Sequence, residues 1–282
     1  MDFNEFLPYL REKLSSVSMG SEVLEQMDGF VSSLWQGKFL RSQMAFLSAQ
    51  DLGISNIEQV VSICAGIECI HLASLIHDDI MDNAQTRRGQ ACFYLRFTKN
   101  KAIVVGDFLF GAGARLLGEV GAESLAGMAI EDICRGQLIE EEILSNPDAT
   151  IEQYFLVAKN KTAALFRRAV EAVELLAGSG NSLSRFADEW GKAFQIRDDI
   201  GDIEEDFYEL KMSFPVIMLR DLAGKEAFNQ AVKDKKIGLL KEFLEDASAL
   251  SYNKIRELID GALSVAPRES SLIDWARDRL SQ

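Results

Sequence analysis

Two stretches of the chain, His77-Asp78-Asp79-Ile80-Met81-Asp82 and Arg197-Asp198-Asp199-Ile200-Gly201-Asp202, space their acids identically as D-D-x-x-D. Residues three and four apart on a helix share a face, so the first and last aspartate of each set stand together, with the second flanking them. Three carboxylates within about one turn repel by roughly 1 kcal/mol or more per pair at surface-like dielectric. A cation offsets that. Oxygen donors with no thiolate beside them suit hard Mg²⁺, which completes its shell with water and phosphate. In an acidic chain, one such set is as readily a solvated helix end. Two, each closing a mostly apolar run, are hard to read as surface decoration. If the two helices face each other, six carboxylates surround a pocket able to hold several Mg²⁺ ions and a diphosphate.

The basic residues near these acids are few enough to weigh singly. Arg87-Arg88-Gly89 follows the first set within one short loop, close enough to fold back over a diphosphate, and paired guanidiniums match phosphate oxygens. An ion pair with Asp82 or a neighbouring acid explains them equally well. Lys38 and Arg41 open a helix, where the dipole disfavours cations unless an anion joins them; a solvated helix start is the plainer reading. His71 lies about two turns before Asp78 on the aspartate face, a place more often taken by a satisfied core histidine. Lys161-Thr162 is a weak dipeptide by itself. Gln195, one turn before Asp198, is either structural or a donor to phosphate. Their occurrence together with both acidic sets is what gives them weight.

The elements that must position these groups are helical. Val60, Cys64, Ile67, His71, Ser74, Asp78 and Asp82 recur at three- and four-residue steps, so one long helix from about Ile57 to Asp82 begins as core and ends in carboxylates. Amphipathic helices are predicted around 2–14 and 21–35, and a third from Lys38 to about Leu52 after the break at Gly37. Residues Asn83 to Thr98 read as polar and irregular. Further helices are expected at about 100–117, 122–144, 150–177 and 181–205. Pro215 suits a helix first turn, with breaks at Gly224, Gly238, Gly261 and Pro267. No alternating run suggests a sheet, so the fold class is all-α.

Composition narrows the function. Lys and Arg number 30 against 44 Asp and Glu, a formal net charge of −14, which argues against nucleic acid and polybasic membrane contact. The 282 residues are 48% hydrophobic, and no Gly/Pro/Ser-rich linker divides them, so a single domain over 1–282 is expected. Cys64, Cys69, Cys92 and Cys134 lack metal-ligand spacing and read as small buried hydrophobes in a reducing cytosol. The first residues, Met1-Asp2-Phe3-Asn4-Glu5, lack the basic segment and apolar run of a signal peptide. No stretch reaches the roughly 20 uninterrupted apolar residues of a membrane span. A cytoplasmic protein is expected.

With these motifs in order, the chain resembles the trans-isoprenyl (polyprenyl) diphosphate synthase family from about Gly37 to Pro215. Gly37-Lys38-x-x-Arg41 is similar to its G-K-x-x-R-P element, with Ser42 in place of the proline and hence a looser turn expected. His71 through Asp82 with Arg87-Arg88-Gly89 resembles its first aspartate-rich motif. Gly106-Asp107, Lys161-Thr162 and Phe194-Gln195 through Asp202 follow in the family's order. The segment after Asp202 is short and keeps only a late lysine-to-proline part, Lys211 to Pro215.

The resemblance implies an all-α bundle around a deep central cavity, usually a homodimer. It implies that Asp78, Asp79, Asp82, Asp198, Asp199 and Asp202 reach Mg²⁺, with Asp79 and Asp199 less directly. Lys38, Arg41, His71 and Arg88 would hold isopentenyl diphosphate. Arg87, Lys161, Thr162, Gln195 and Lys211 would hold an allylic diphosphate, so that Lys161 joins the aspartates in catalysis. Small Ala73 and Ser74, about a turn before Asp78, leave room for a product of twenty carbons or beyond, unless Ile70 or Leu109 sets the floor. Two other enzyme readings keep the metal site: a terpene cyclase, or a prenyltransferase using another acceptor. A third, suggested by the short segment after Asp202, is a non-catalytic partner subunit.

Overall fold

Helices take up nearly all of the computed structural model, which describes residues 1–143, 146–264 and 270–281. In chain order these are α1 (Phe3–Ser15), a 3₁₀ turn (Glu22–Leu24), α2 (Glu25–Leu34), α3 (Leu40–Asp51) and α4 (Ile57–Met81). A ribbon of β1 (Thr86–Arg87) and β2 (Gln90–Ala91) follows, then α5 (Phe93–Arg96), α6 (Lys99–Gly118) and α7 (Glu123–Ile143). Next come α8 (Ile151–Ala158), a π-helical segment (Lys159–Ala163), α9 (Ala164–Ala177), α10 (Ser182–Gly201) and α11 (Ile203–Glu209). The last are α12 (Phe214–Ala223), α13 (Lys225–Lys233), a 3₁₀ turn (Ile237–Leu240), α14 (Lys241–Leu263) and α15 (Ser271–Ser281). Two compact units are distinguished: Met1–Ile130 with Arg168–Asn181, and Glu131–Arg167 with Ser182–Gln282.

In the first unit, α4 is the central element. Asn56 caps it, accepting from the Glu58 and Gln59 N–H groups. The helix is then buried on every side from Val60 to Ile70 without interruption and apolar there apart from Ser62 and Glu68, the pattern of a core helix. It is the one helix among the described residues long and apolar enough to cross a membrane, yet 83% of its most apolar window is buried inside the fold. Its closest neighbour is α6. A Cβ on Gly66 would lie 3.0 Å from the Gly113 carbonyl oxygen, and one on Gly113 would lie 2.8 Å from that of Gly66. The two backbones come together only because both residues lack a side chain.

In the second unit, α8, α10, α12 and α14 enclose an apolar cluster that includes Tyr154, Ile196, Phe207, Phe214, Ile217, Phe228 and Ile255. Helix α15 is tied to α10 by Trp190 Nε1 donating to the Ala276 carbonyl at 3.1 Å and Arg197 donating to that of Arg279 at 3.0 Å.

The fold departs from the sequence expectation in particular places. The stretch 83–98 is ordered into the ribbon and α5. The helix expected at 150–177 is interrupted by the π segment, and that at 181–205 ends at Gly201, where Asp202 leaves helical geometry (φ −106°, ψ 9°) and caps α11. Gly261 does not break the chain but lies within the last turn of α14. Pro267 lies outside the described residues. Cys64, Cys69 and Cys92 are buried as expected; Cys134 is exposed on α7.

Candidate active site

The first acidic set closes α4. Asn83 takes the left-handed conformation (φ 52°) and Ala84 N–H reaches back to the Asp79 carbonyl at 3.0 Å, so the helix stops where its carboxylates begin to crowd. Burial then sorts the three acids: Asp79 is 2% exposed, Asp78 half-buried and Asp82 exposed. Asp79 Oδ1 accepts from Arg87 Nε at 2.9 Å and from Nη2 at 2.5 Å. A buried carboxylate is tolerable with such a partner and costly without one. The ribbon supplies the arginine. Arg87 pairs with Gln90 across the two-residue turn Arg88-Gly89, whose φ angles of 53° and 77° are those of a turn that matches strand twist.

That turn also carries Arg88 toward the α2–α3 connection. Its Nη1 donates to the Leu34 carbonyl, and a Cβ on Gly37 would come within 3.2 Å of its Nη2. Gly37 thus lets a guanidinium pack closely on its backbone. Nearby, Arg41 Nη1 donates to His71 Nε2 at 3.1 Å. Burial, and then the charges of Arg41, Arg88 and Arg87, hold the His71 imidazole well below its usual range, so it is neutral and accepts. Lys38 is exposed, two residues before α3. The expected loosening at Ser42 is not found: Ser42 is fully buried and donates to Glu68 Oε1 at 2.7 Å, while Gln43 Nε2 closes the turn onto the Lys38 carbonyl. The resemblance brings Lys38, Arg41, His71 and Arg88 to one pocket, and within this unit the structure draws Arg41 to His71 and Arg88 to Gly37. Glu68 escaped the sequence reading; its signal is a lone charge in an apolar run, three residues before His71.

On α6, a Cβ at Gly106 would stand 2.1 Å from His77 Nε2, and the imidazole N–H meets the Ile103 carbonyl at 3.0 Å. The glycine of Gly106-Asp107 thus serves the histidine that precedes the first acidic set. Ala73 is fully buried and Ser74 is 9% exposed, with the Ser74 hydroxyl donating to the His71 carbonyl at 2.8 Å.

In the second unit, the other acidic set is sorted in the same way: Asp199 is 3% exposed, while Asp198 and Asp202 are exposed. The partners of its middle acid are neutral. Tyr154 OH donates to Asp199 Oδ2 at 2.6 Å and Gln195 Nε2 to Oδ1 at 2.7 Å. Burial pushes Asp199 up to about 6, against the pull of those two hydrogen bonds and of Lys211. Thr162 Oγ1 donates in turn to Gln195 Oε1, giving a chain from Thr162 through Gln195 to Asp199. Lys161 pairs with Glu140, and Lys211 Nζ lies 3.5 Å from buried Asp206. Tyr154 and Glu140 were missed by the sequence reading because their partners, Asp199 and Lys161, lie far off in the chain; Asp206 was missed although Lys211 is nearby, because nothing in an acidic stretch marks which acid is buried.

The π segment explains how Lys161 and Thr162 are presented. A π turn displaces the helix wall outward and recurs at functional sites. Two glycines admit this one: a Cβ on Gly136 would lie 2.7 Å from the Lys161 backbone nitrogen, and one on Gly191 would lie 2.6 Å from Ala163 Cα.

Among the described residues, no three acids, imidazoles or thiols are gathered into a metal cage. Mg²⁺ is held by one or two carboxylates with water and substrate phosphate rather than by an all-protein shell, and exposed Asp82, Asp198 and Asp202 offer such carboxylates. Both acidic sets also sit at helix C-termini, the negative pole of the macrodipole, where a cation is favoured and an acid is not. The donor set therefore fits the ion.

A family model described as Polyprenyl synthetase matches residues 24–236. The chain is 34% identical over 176 residues to the all-trans-nonaprenyl-diphosphate synthase (geranyl-diphosphate specific) of Rhodobacter capsulatus, covering 60% of this chain and 54% of that one; it thus spans about half the length of this relative. Among solved structures, a decaprenyl diphosphate synthase from Rhodobacter capsulatus superposes with a TM-score of 0.86 at 25% identity, over 99% of this chain and 95% of that one. A polyprenyl synthase from Caulobacter crescentus, complexed with calcium and isoprenyl diphosphate, gives 0.83 at 24% identity over 99% and 95%.

Proposed function

Given that the chain belongs to the polyprenyl synthetase family, we propose that it joins isopentenyl diphosphate head-to-tail to an allylic diphosphate, making a trans-polyprenyl diphosphate of twenty carbons or more and releasing pyrophosphate. The observation that carries this reading is the pair of D-D-x-x-D helix ends, each with its middle acid fixed inward and at least one outer acid exposed. Neither a solvated surface nor a structural ion pair calls for that division twice.

Asp78, Asp82, Asp198 and Asp202 would hold Mg²⁺, with Asp79 and Asp199 buttressing them from behind. The bound ion supplies positive charge where the leaving pyrophosphate develops negative charge. Arg87, Lys161, Lys211, Thr162 and Gln195 surround the allylic diphosphate in this reading. Those cations are paired with Asp79, Glu140 and Asp206, so they stand ordered before a substrate arrives. The allylic C–O bond breaks to give pyrophosphate and a resonance-stabilised carbocation. The double bond of isopentenyl diphosphate, held by Lys38, Arg41, His71 and Arg88, attacks that cation, and a proton then leaves to the pyrophosphate. Holding both partners in a near-attack pose supplies several kcal/mol of the barrier. Neutral His71 donates through Nδ1–H, because its Nε2 already accepts from Arg41. Water would quench the cation, and the apolar side chains of α4 below Asp78 suit a dry wall. The proposal includes a homodimer in the cytoplasm and a product length governed by Ala73 and Ser74.

A second group of basic residues, Lys38, Arg41 and Arg88, beyond those proposed for the allylic diphosphate, favours two diphosphate substrates over a cyclase, which needs one. The test is incubation of the purified chain with Mg²⁺ and geranyl or farnesyl diphosphate, with and without isopentenyl diphosphate. The expected outcome is polyprenyl diphosphates on chromatography only when both are present. Cyclised products without isopentenyl diphosphate, or no turnover at all, would overturn it.

A further inference from the structure

Along α4, Cys64, Glu68 and His71 meet α3 in three successive rungs: Cys64 Sγ donates to the Ser42 carbonyl at 3.6 Å, Ser42 Oγ donates to Glu68 Oε1 at 2.7 Å, and Arg41 Nη1 donates to His71 Nε2 at 3.1 Å. We infer that Glu68, through the Ser42 hydroxyl, is a positioning residue of the isopentenyl diphosphate pocket, fixing α3 so that Arg41 stays on His71. This rests on the pocket assignment made under the proposed function.

A purely structural role is a poor explanation for an acid here. Glu68 is 6% exposed inside the buried stretch Val60–Ile70 of α4, where it is the one charged residue, and an aliphatic side chain would pack there without the penalty of burying a carboxylate. The charges that act on it are those of Arg41 and Arg88, the two guanidiniums assigned to the diphosphate. Burial raises its affinity for a proton, and the Ser42 hydrogen bond and the two arginines oppose that rise. The acid thus feels both cations and is hydrogen-bonded to the helix that carries Arg41. Ser42 stands where the resembled motif has proline, which has no hydroxyl to donate, so this clamp is a feature of this chain.

The experiment compares the full chain with Ser42→Ala, Glu68→Ala and Glu68→Gln. It measures KM for isopentenyl diphosphate and for farnesyl diphosphate, and isopentenyl diphosphate binding by calorimetry in EDTA. Ser42→Ala and Glu68→Ala are expected to raise KM and Kd for isopentenyl diphosphate about tenfold, with KM for farnesyl diphosphate within twofold. Glu68→Gln keeps an oxygen that accepts from Ser42 and is expected to recover to within threefold of the parent. Equal shifts for both substrates, an unchanged isopentenyl diphosphate affinity, or Glu68→Gln no better than Glu68→Ala would overturn the inference. If the parent binds isopentenyl diphosphate in a Glu68-dependent way but does not condense it, the synthase reading fails and the positioning role stands. Absence of binding to the parent sinks both.

Discussion

The two aspartate-rich helix ends share a sequence pattern and differ in how each anchors its middle acid. Asp79 is held by the charged fork of Arg87, whereas Asp199 is held by the neutral Tyr154 hydroxyl and the Gln195 amide. The first helix runs into a ribbon that returns two arginines. The second runs directly into α11, whose cap is its own third acid, Asp202. An ion pair is strong but exposed to loss of one partner. A neutral hydrogen-bonded cradle is weaker, and it leaves the acid's charge for something else to balance. The first end therefore balances the charge of its middle acid within a direct ion pair, and the second leaves that charge to the more distant Lys211.

Removing an outer acid tests what the ends have in common. Asp78→Asn and Asp198→Asn should each cut kcat by about 10²–10³-fold, the scale for losing one element of a preorganised electrostatic site. A loss below tenfold in either would leave that end outside the chemistry. Next in size are the anchors. Arg87→Met strands a buried carboxylate and should destabilise by about 3 kcal/mol, while Tyr154→Phe removes one hydrogen bond of two and should cost about 1–2 kcal/mol. Denaturant unfolding with equal losses would erase the contrast drawn above. Gly136→Ala presses a methyl onto the Lys161 backbone and should cost about 1–3 kcal/mol as overpacking. It should also raise KM for the allylic substrate, and a normal KM would separate the π segment from binding.

Acid dependence sharpens the first unit. Because the folded-state pKa of Glu68 is raised, the folded chain binds its proton more tightly than the unfolded chain does. The stability this contributes is complete below the usual glutamate range and is lost as pH rises through the folded value. Urea unfolding across that window should slope downward with pH, and Glu68→Gln should flatten the slope; parallel curves would refute the assignment. The smallest effect belongs to the second end. Leu210, at φ 59°, holds a left-handed conformation just after α11, and Leu210→Gly should raise stability by about 0.5 kcal/mol once the added chain entropy is subtracted. A lower melting temperature would mean that the exposed leucine packs more than it strains.

Much of this was legible in one dimension. The three- and four-residue periodicity from Val60 to Asp82 is enough to draw α4, because a helix repeats its face locally. Gly37, Gly106 and the paired arginines were singled out by position in the motif, though the reasons they matter came from elsewhere. Gly37 accommodates Arg88, and Gly106 accommodates His77. The π segment at Lys159–Ala163 was invisible, since its residues have ordinary helix propensities and the space it needs is provided by Gly136 and Gly191 on other helices. The expected loosening at Ser42 was wrong for the same reason: its partner, Glu68, lies on another helix.

What the sequence alone determined is the helical class, the family, and which residue types stand ready for diphosphate chemistry, because these follow from composition, local periodicity and motif order. What only the tertiary structure decided is the division of labour within each motif. Asp79 and Asp199 turn inward, and Glu68 and Tyr154 are recruited, because burial and long-range hydrogen bonds depend on which helices pack together, and no local spacing records that.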